Sequence, residues 1–216
     1  MKIELVVFDL DGTLVDSRED IAQTVNHVLG LFNLPALPDY EIAAYVGRGV
    51  SSLVRSVLGE GHQHLYKKAM PLFKAHYAEH LLDHTVLYPG VRELLESLKN
   101  FRKAVITNKP TEYSVRILEG LGVAGFFEAV LGGDKVPAKK PAPDALLTLA
   151  EQSGVALEKV LMIGDSTMDI EAGKNAGTRT CAVTYGFGRR EDLVRARPDY
   201  ILDSITEVKV ILEKRS

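Results

Sequence analysis

Four apolar residues in a row, Leu5, Val6, Val7 and Phe8, stop abruptly at Asp9, and the chain then turns through Asp11 and Gly12. A short continuous apolar run bounded by turn residues is the pattern of a strand buried on both faces of a parallel sheet. Similar runs predict strands over 103–107, 129–131, 160–163 and 180–183, with a weak edge at 200–202. Between them, apolar residues recur at helical spacing over 91–99, 111–121 and 144–153. Strand and helix alternating in this way define an α/β fold with a doubly wound, Rossmann-like parallel sheet. The region after Leu14 breaks the alternation. Ser17 is placed to cap a helix reaching about Leu31, Asp39 opens a second, 50–58 reads as a third and 63–82 as a longer fourth. A lone first strand cannot hide its apolar faces, so it must rejoin the later strands. The expected organisation is a discontinuous core, 1–15 with 86–216, and a small helical cap inserted as 16–85.

Composition adds mainly exclusions. With 216 residues, 46% of them hydrophobic, the chain can bury a sizeable core plus an insert. A formal net charge of −3 gives no basic footprint for nucleic acid, and no apolar run is long enough to span a membrane. Met1-Lys2 leads straight into a strand without an export signal, so the expected location is cytoplasmic, as a monomer or homodimer. Cys181 is the single cysteine and reads as a core residue on a strand.

The chemistry lies at the strand ends, where an open α/β sheet binds its ligands. Asp9 and Asp11 end the first strand, Thr107-Asn108 the second, and Gly164-Asp165-Ser166 the strand over 160–163, with Asp169 one helical turn on; Lys140 lies in Lys-Lys-Pro-Ala-Pro. Singly, these are ordinary: Thr and Asn terminate strands, Asp165 suits a helix cap, and Lys139 and Lys140 suit solvent. A calcium loop starting at Asp9 is excluded, because its sixth and twelfth positions are Leu14 and Asp20 rather than Gly and Glu. Brought to one crevice, the set suits phosphoryl transfer through an aspartyl phosphate. Asp9 would attack phosphorus. Asp9, Asp165 and a backbone carbonyl beside Asp9 would hold Mg²⁺, which removes charge repulsion, and Asp169 would steady the metal waters or Lys140. Lys140 and the Thr107 hydroxyl would meet phosphate oxygens, and Asp11 would serve as acid and then base.

Asp9-Leu10-Asp11-Gly12-Thr13, Thr107-Asn108, Lys140-Pro141 and Gly164-Asp165-Ser166 with Asp169 resemble, in order, the four motifs of the haloacid dehalogenase superfamily in its phosphatase branch. The insert after the first motif, Val46-Gly47-Arg48-Gly49 and Thr107-Asn108-Lys109-Pro110 are similar to the phosphoglycolate phosphatase group within it. The resemblance implies Asp9 as nucleophile and metal ligand, Asp11 as acid and base with its carbonyl on Mg²⁺, Asp165 as metal ligand, and Thr107, Asn108 and Lys140 on the substrate side. It implies a small phosphate ester as partner, 2-phosphoglycolate first. Met168 departs from the family, which often has Asn there.

Other readings stay open at this stage. Pyrophosphate or another small phosphate would use the same residues, as would a phosphomutase of the β-phosphoglucomutase kind. A receiver-type phosphoacceptor shares the acid cluster, Thr and Lys, but has little use for a cap or for Asp11. A dehalogenase proper would leave Asp11 and the metal set idle. Arg48, between two glycines, is either a solvated loop arginine or the partner of a substrate carboxylate. All six histidines fall within the insert, and His76-Tyr77-Ala78-Glu79-His80 matches a short zinc pattern, but without a third ligand it reads as a solvated helical face. Gly186-Phe187-Gly188 lacks the third glycine of a dinucleotide loop.

Overall fold

The computed structural model describes residues 2–213. Strand β1, Leu5–Phe8, is fully buried and lies at the centre of a six-stranded parallel sheet. The other strands are β4 (Arg102–Thr107), β5 (Ala129–Gly132), β6 (Val160–Gly164), β7 (Arg179–Val183) and β8 (Tyr200–Leu202), in spatial order β5-β4-β1-β6-β7-β8. β1 pairs with β4 on one side, Phe8 opposite Val105, and with β6 on the other, Phe8 opposite Ile163. The chain therefore runs outward from β1 in both directions. The strand-order reversal opens a crevice at the carboxyl end of β1, which places Asp9 in it.

Alternation along the strands divides the core in two. Val6, Phe8, Val105, Leu161 and Ile163 face one hydrophobic layer, and Leu5, Val7, Ala104, Ile106 and Met162 the other. Helices cover both: α5 (Val91–Ser97), α6 (Thr111–Gly120), α7 (Asp144–Ser153), α8 (Thr167–Ala176), α9 (Arg190–Ala196) and α10 (Val208–Glu213). This fits the doubly wound expectation. Cys181 is buried on β7, and burial raises its thiol pKa. Among the described residues no helix is long and apolar enough to cross a membrane.

The segment after β1 leaves the sheet through β2 (Val15–Asp16) and returns through β3 (Val86–Leu87), which pair antiparallel as a narrow ribbon. Between them lie α1 (Arg18–Leu31), α2 (Asp39–Ala43), α3 (Val50–Leu58) and α4 (Tyr66–Glu79). Two local expectations are corrected. The helix expected over 63–82 is shorter at both ends, α4 starting at Tyr66 after a 3₁₀ segment, Glu60–Leu65, and stopping at Glu79 because His80 leaves helical backbone angles. Ser17 stands before α1 but does not cap it: its hydroxyl donates to Asp11 Oδ1 at 2.6 Å instead.

Candidate active site

Two backbone features build the site. At the end of β1 the chain turns at Gly12, whose φ of +84° favours glycine, and a side-chain carbon there would lie 2.2 Å from Asp165 Oδ2. Across the crevice, a side-chain carbon at Gly188 would lie 1.9 Å from the Asp165 carbonyl oxygen. Both glycines let backbone close around Asp165. Its carboxylate accepts from the Phe187 amide at 2.7 Å and from the Thr13 hydroxyl at 3.0 Å. The Gly186-Phe187-Gly188 segment thus serves the acid cluster.

Asp9, Asp165 and Asp169 converge, one carboxylate oxygen of each lying within 4.8 Å of the others, and all three are buried. Lys140, arriving from a loop before α7, lies 2.8 Å from Asp9 Oδ1 and 2.5 Å from Asp169 Oδ1. Burial alone would lower the Lys140 pKa, but Asp169 and Asp9 raise it above that of free lysine. Both Asp169 oxygens are engaged: Oδ1 by Lys140, Oδ2 by the Ser166 amide and hydroxyl as a capping box on α8. Asp9 accepts from the Leu10 amide at 2.7 Å.

Burial, then repulsion from Asp169, hold the Asp9 carboxyl well above its ordinary pKa, against the pull of Lys140. The same two causes raise Asp165 to about 7. When ionised, three carboxylates facing one ammonium leave two negative charges unmatched, which, on top of burial, is why Asp9 and Asp165 hold protons in the absence of a further cation. An all-oxygen, anionic, buried donor set of this kind fits a hard divalent cation.

A second network surrounds Asp11. Its Oδ1 receives the Ser17 hydroxyl and, at 2.5 Å, the ammonium of Lys109, which also donates to the Tyr77 hydroxyl of α4 at 2.7 Å. Sequence reasoning passed over Lys109 and Tyr77. Lys109 was within reach of it, one residue beyond Asn108 in the Thr107–Pro110 segment; Tyr77 carried no signal, since only folding brings α4 over β4. Thr107 is buried at the end of β4, its hydroxyl accepting from the Lys109 amide. Asn108 joins two loops: its amide nitrogen donates to the carbonyls of Gly47 and Lys140, and its oxygen accepts from the Lys140 amide. Arg48 is exposed and lines an outer cleft of about 200 Å³ together with Asp9, Asp11 and Asp165.

The fold and this acid cluster define a class of enzyme, and comparison with known proteins gives the same class. Residues 6–183 match the family model described as haloacid dehalogenase-like hydrolase. The chain belongs to that family. It is 37% identical over 218 residues to a protein of Nitrosococcus oceani, covering 98% of this chain and 97% of the relative. It is 40% identical to one from Vibrio parahaemolyticus, covering 95% and 94%. Both carry the name phosphoglycolate phosphatase. A crystal structure from Haemophilus somnus, titled as a predicted phosphoglycolate phosphatase, superposes with a TM-score of 0.93 at 32% identity over 98% of each chain.

Proposed function

We propose that this protein is a Mg²⁺-dependent phosphatase that hydrolyses 2-phosphoglycolate to glycolate and phosphate through an aspartyl phosphate on Asp9. The observation that carries the reading is the pairing of Asp9 with Lys140 inside the three-aspartate cluster, supported by similarity along the whole chain to relatives named for that activity.

Asp9 and Asp165, with the Asp11 backbone carbonyl, would hold Mg²⁺, which supplies positive charge against phosphate and carboxylate repulsion. Asp169, both oxygens occupied, positions Lys140. In the first step an Asp9 carboxylate oxygen bonds to phosphorus as the ester oxygen leaves, and Asp11 gives that oxygen its proton. In the second, Asp11 takes a proton from water, whose oxygen attacks phosphorus and releases phosphate and the Asp9 carboxylate. Lys140 offsets phosphate charge, the Thr107 hydroxyl donates to a phosphate oxygen, Asn108 holds the Lys140 loop against the Gly47 loop, and Arg48 draws anions to the cleft mouth. Residues 16–85 act as the cap, hinged at the β2–β3 ribbon, and shield the reacting groups from bulk water.

The test is turnover of a panel of small phosphate esters and pyrophosphate with Mg²⁺. The expected result is 2-phosphoglycolate at the highest kcat/KM, and activity at background in a folded Asp9→Asn variant. An active Asp9→Asn protein would remove the covalent mechanism, and a sugar phosphate isomerised without release of phosphate would make the enzyme a mutase.

A further inference from the structure

Lys109 is a buried cation that the mechanism above does not use. Its ammonium is 7% exposed and its partner Asp11 carboxylate 9%. The Lys109 Nζ donates to Asp11 Oδ1 at 2.5 Å and to the Tyr77 hydroxyl at 2.7 Å, an anion and an oxygen acceptor that together match a buried ammonium. Burial pushes the Tyr77 phenol up to about 12, so Tyr77 stays neutral while it accepts from Lys109. These groups line an inner pocket of about 50 Å³ that reaches from Asp9 toward the cap. Apart from the strand-end residues its walls are mostly apolar, with Ile21, Leu53, Phe73 and Tyr113 among them, and Lys109 is the one cation among the described residues that line it.

An ammonium in an apolar pocket beside the reacting centre selects for what enters with the phosphoryl group. Resting, Lys109 occupies Asp11 Oδ1, the carboxylate assigned to protonate the leaving oxygen. A neutral substituent offers it nothing in exchange. A carboxylate, placed two bonds from the ester oxygen, offers Lys109 an equal charge and a second oxygen, and Asp11, released, takes up from solvent the proton it later gives to the ester oxygen, so that neither group is left as an unpaired buried charge.

We propose that Lys109, held by Tyr77, reads the carboxylate of the substrate, exchanging Asp11 Oδ1 for it and so freeing Asp11 to face the leaving oxygen. The proposal rests on the phosphatase reading and deepens it: selection of a carboxylate-bearing ester is made inside the cap pocket by Lys109, and Arg48 at the rim does not make it. Tyr77 ties this choice to the cap, since the hydroxyl that steadies Lys109 is carried by α4.

The experiment compares O-phosphoglycolate with ethyl phosphate, which has the same length and no carboxylate, in wild type, Lys109→Met, Tyr77→Phe and Arg48→Ala. In Lys109→Met the ratio of kcat/KM values, glycolate ester over ethyl ester, is expected to fall about 10- to 100-fold, the range for a hydrogen bond to a charged group. In Tyr77→Phe it should fall less, and in Arg48→Ala it should stay within about threefold of wild type, as for a rim charge. Binding without turnover gives the same reading: phosphonoacetate should bind wild type more tightly than methylphosphonate, and Lys109→Met should erase the difference. An unchanged ratio in Lys109→Met, or a collapse confined to Arg48→Ala, overturns the proposal. If Lys109→Met does not fold, Tyr77→Phe decides, an unchanged ratio counting against Lys109. A wild-type protein that hydrolyses neither ester with Mg²⁺ would instead remove the phosphatase reading itself.

Discussion

Asp169 is wholly buried, contacts neither pocket, and still sets the charge state of its neighbours. It raises the carboxyl pKa of both Asp9 and Asp165, second only to burial, while holding Lys140 where Asp9 can use it. Removing one partner of a buried ion pair ordinarily costs about 3–5 kcal/mol. Here the loss is offset, because Lys140 keeps Asp9 and two like-charge repulsions disappear. Asp169→Asn is therefore expected to fold with a melting temperature near that of wild type. It should turn over about 10- to 100-fold more slowly, as for loss of a group that orients a ligand. With less repulsion, the acid limb of its pH–rate profile should move to lower pH. A large fall in melting temperature with an unmoved acid limb would make Asp169 structural only. The sequence showed Asp165 and Asp169 as a spaced pair. It also offered Lys140 as one partner of Asp169, a contact the structure contains; what it did not show is that the second oxygen of Asp169 is taken at the same time by the Ser166 amide and hydroxyl.

At the scale of elements, strands and most helices were legible because their apolar periodicity is local, while contacts between α1 and α4 were not. His76-Tyr77-Ala78-Glu79-His80 reads as a solvated face until α1 is packed against it. Then His27 stacks on His76 with ring centroids 4.1 Å apart, and His76 on His80 at 4.2 Å. Thr24 hydrogen-bonds His76 Nδ1, and Asp83 meets His80. Burial, then His27 and His80, lower the His76 pKa, with Glu79 and Asp83 opposing. A base whose folded pKa is depressed binds protons more readily when unfolded, so its contribution is present at high pH and is lost as pH falls below about 6.5. Hydrogen exchange in α1 and α4, corrected for intrinsic rates, should therefore accelerate between pH 7.5 and 5.5 more than in α7 or α8. His76→Phe should flatten that difference, and a pH response that survives the substitution would place its origin elsewhere. Ser17 teaches the same lesson at the start of α1: its type and position predict a cap, and proximity to Asp11 takes its hydroxyl instead.

For the whole molecule, alternation predicted a parallel sheet but not its strand order, and the observed order brings the ends of β1, β4 and β6 and the Lys140 loop to a single crevice. The consequence is electrostatic. Asp9 and Asp165 have pKa values above those of the unfolded chain, so metal-free folded protein holds protons that unfolded protein gives up. Their contribution is fully present below the unfolded carboxylate value of about 4 and is lost as pH rises through their raised folded values, about 7 for Asp165, so this cluster weakens the metal-free fold near neutrality. On the proposed reading Mg²⁺ would bind the ionised carboxylates in competition with those protons, which would reverse the trend. At about 100 times its dissociation constant a ligand adds roughly 2.7 kcal/mol, and a chain of this size gains about 2–4 °C per kcal/mol. Mg²⁺ is therefore expected to raise the melting temperature by about 5–10 °C at pH 8 and by less at pH 5.5. Chelation should undo the rise, and Asp165→Asn should abolish most of it. A rise of equal size at both pH values, or one that persists in Asp165→Asn, would show that the cation binds away from this cluster.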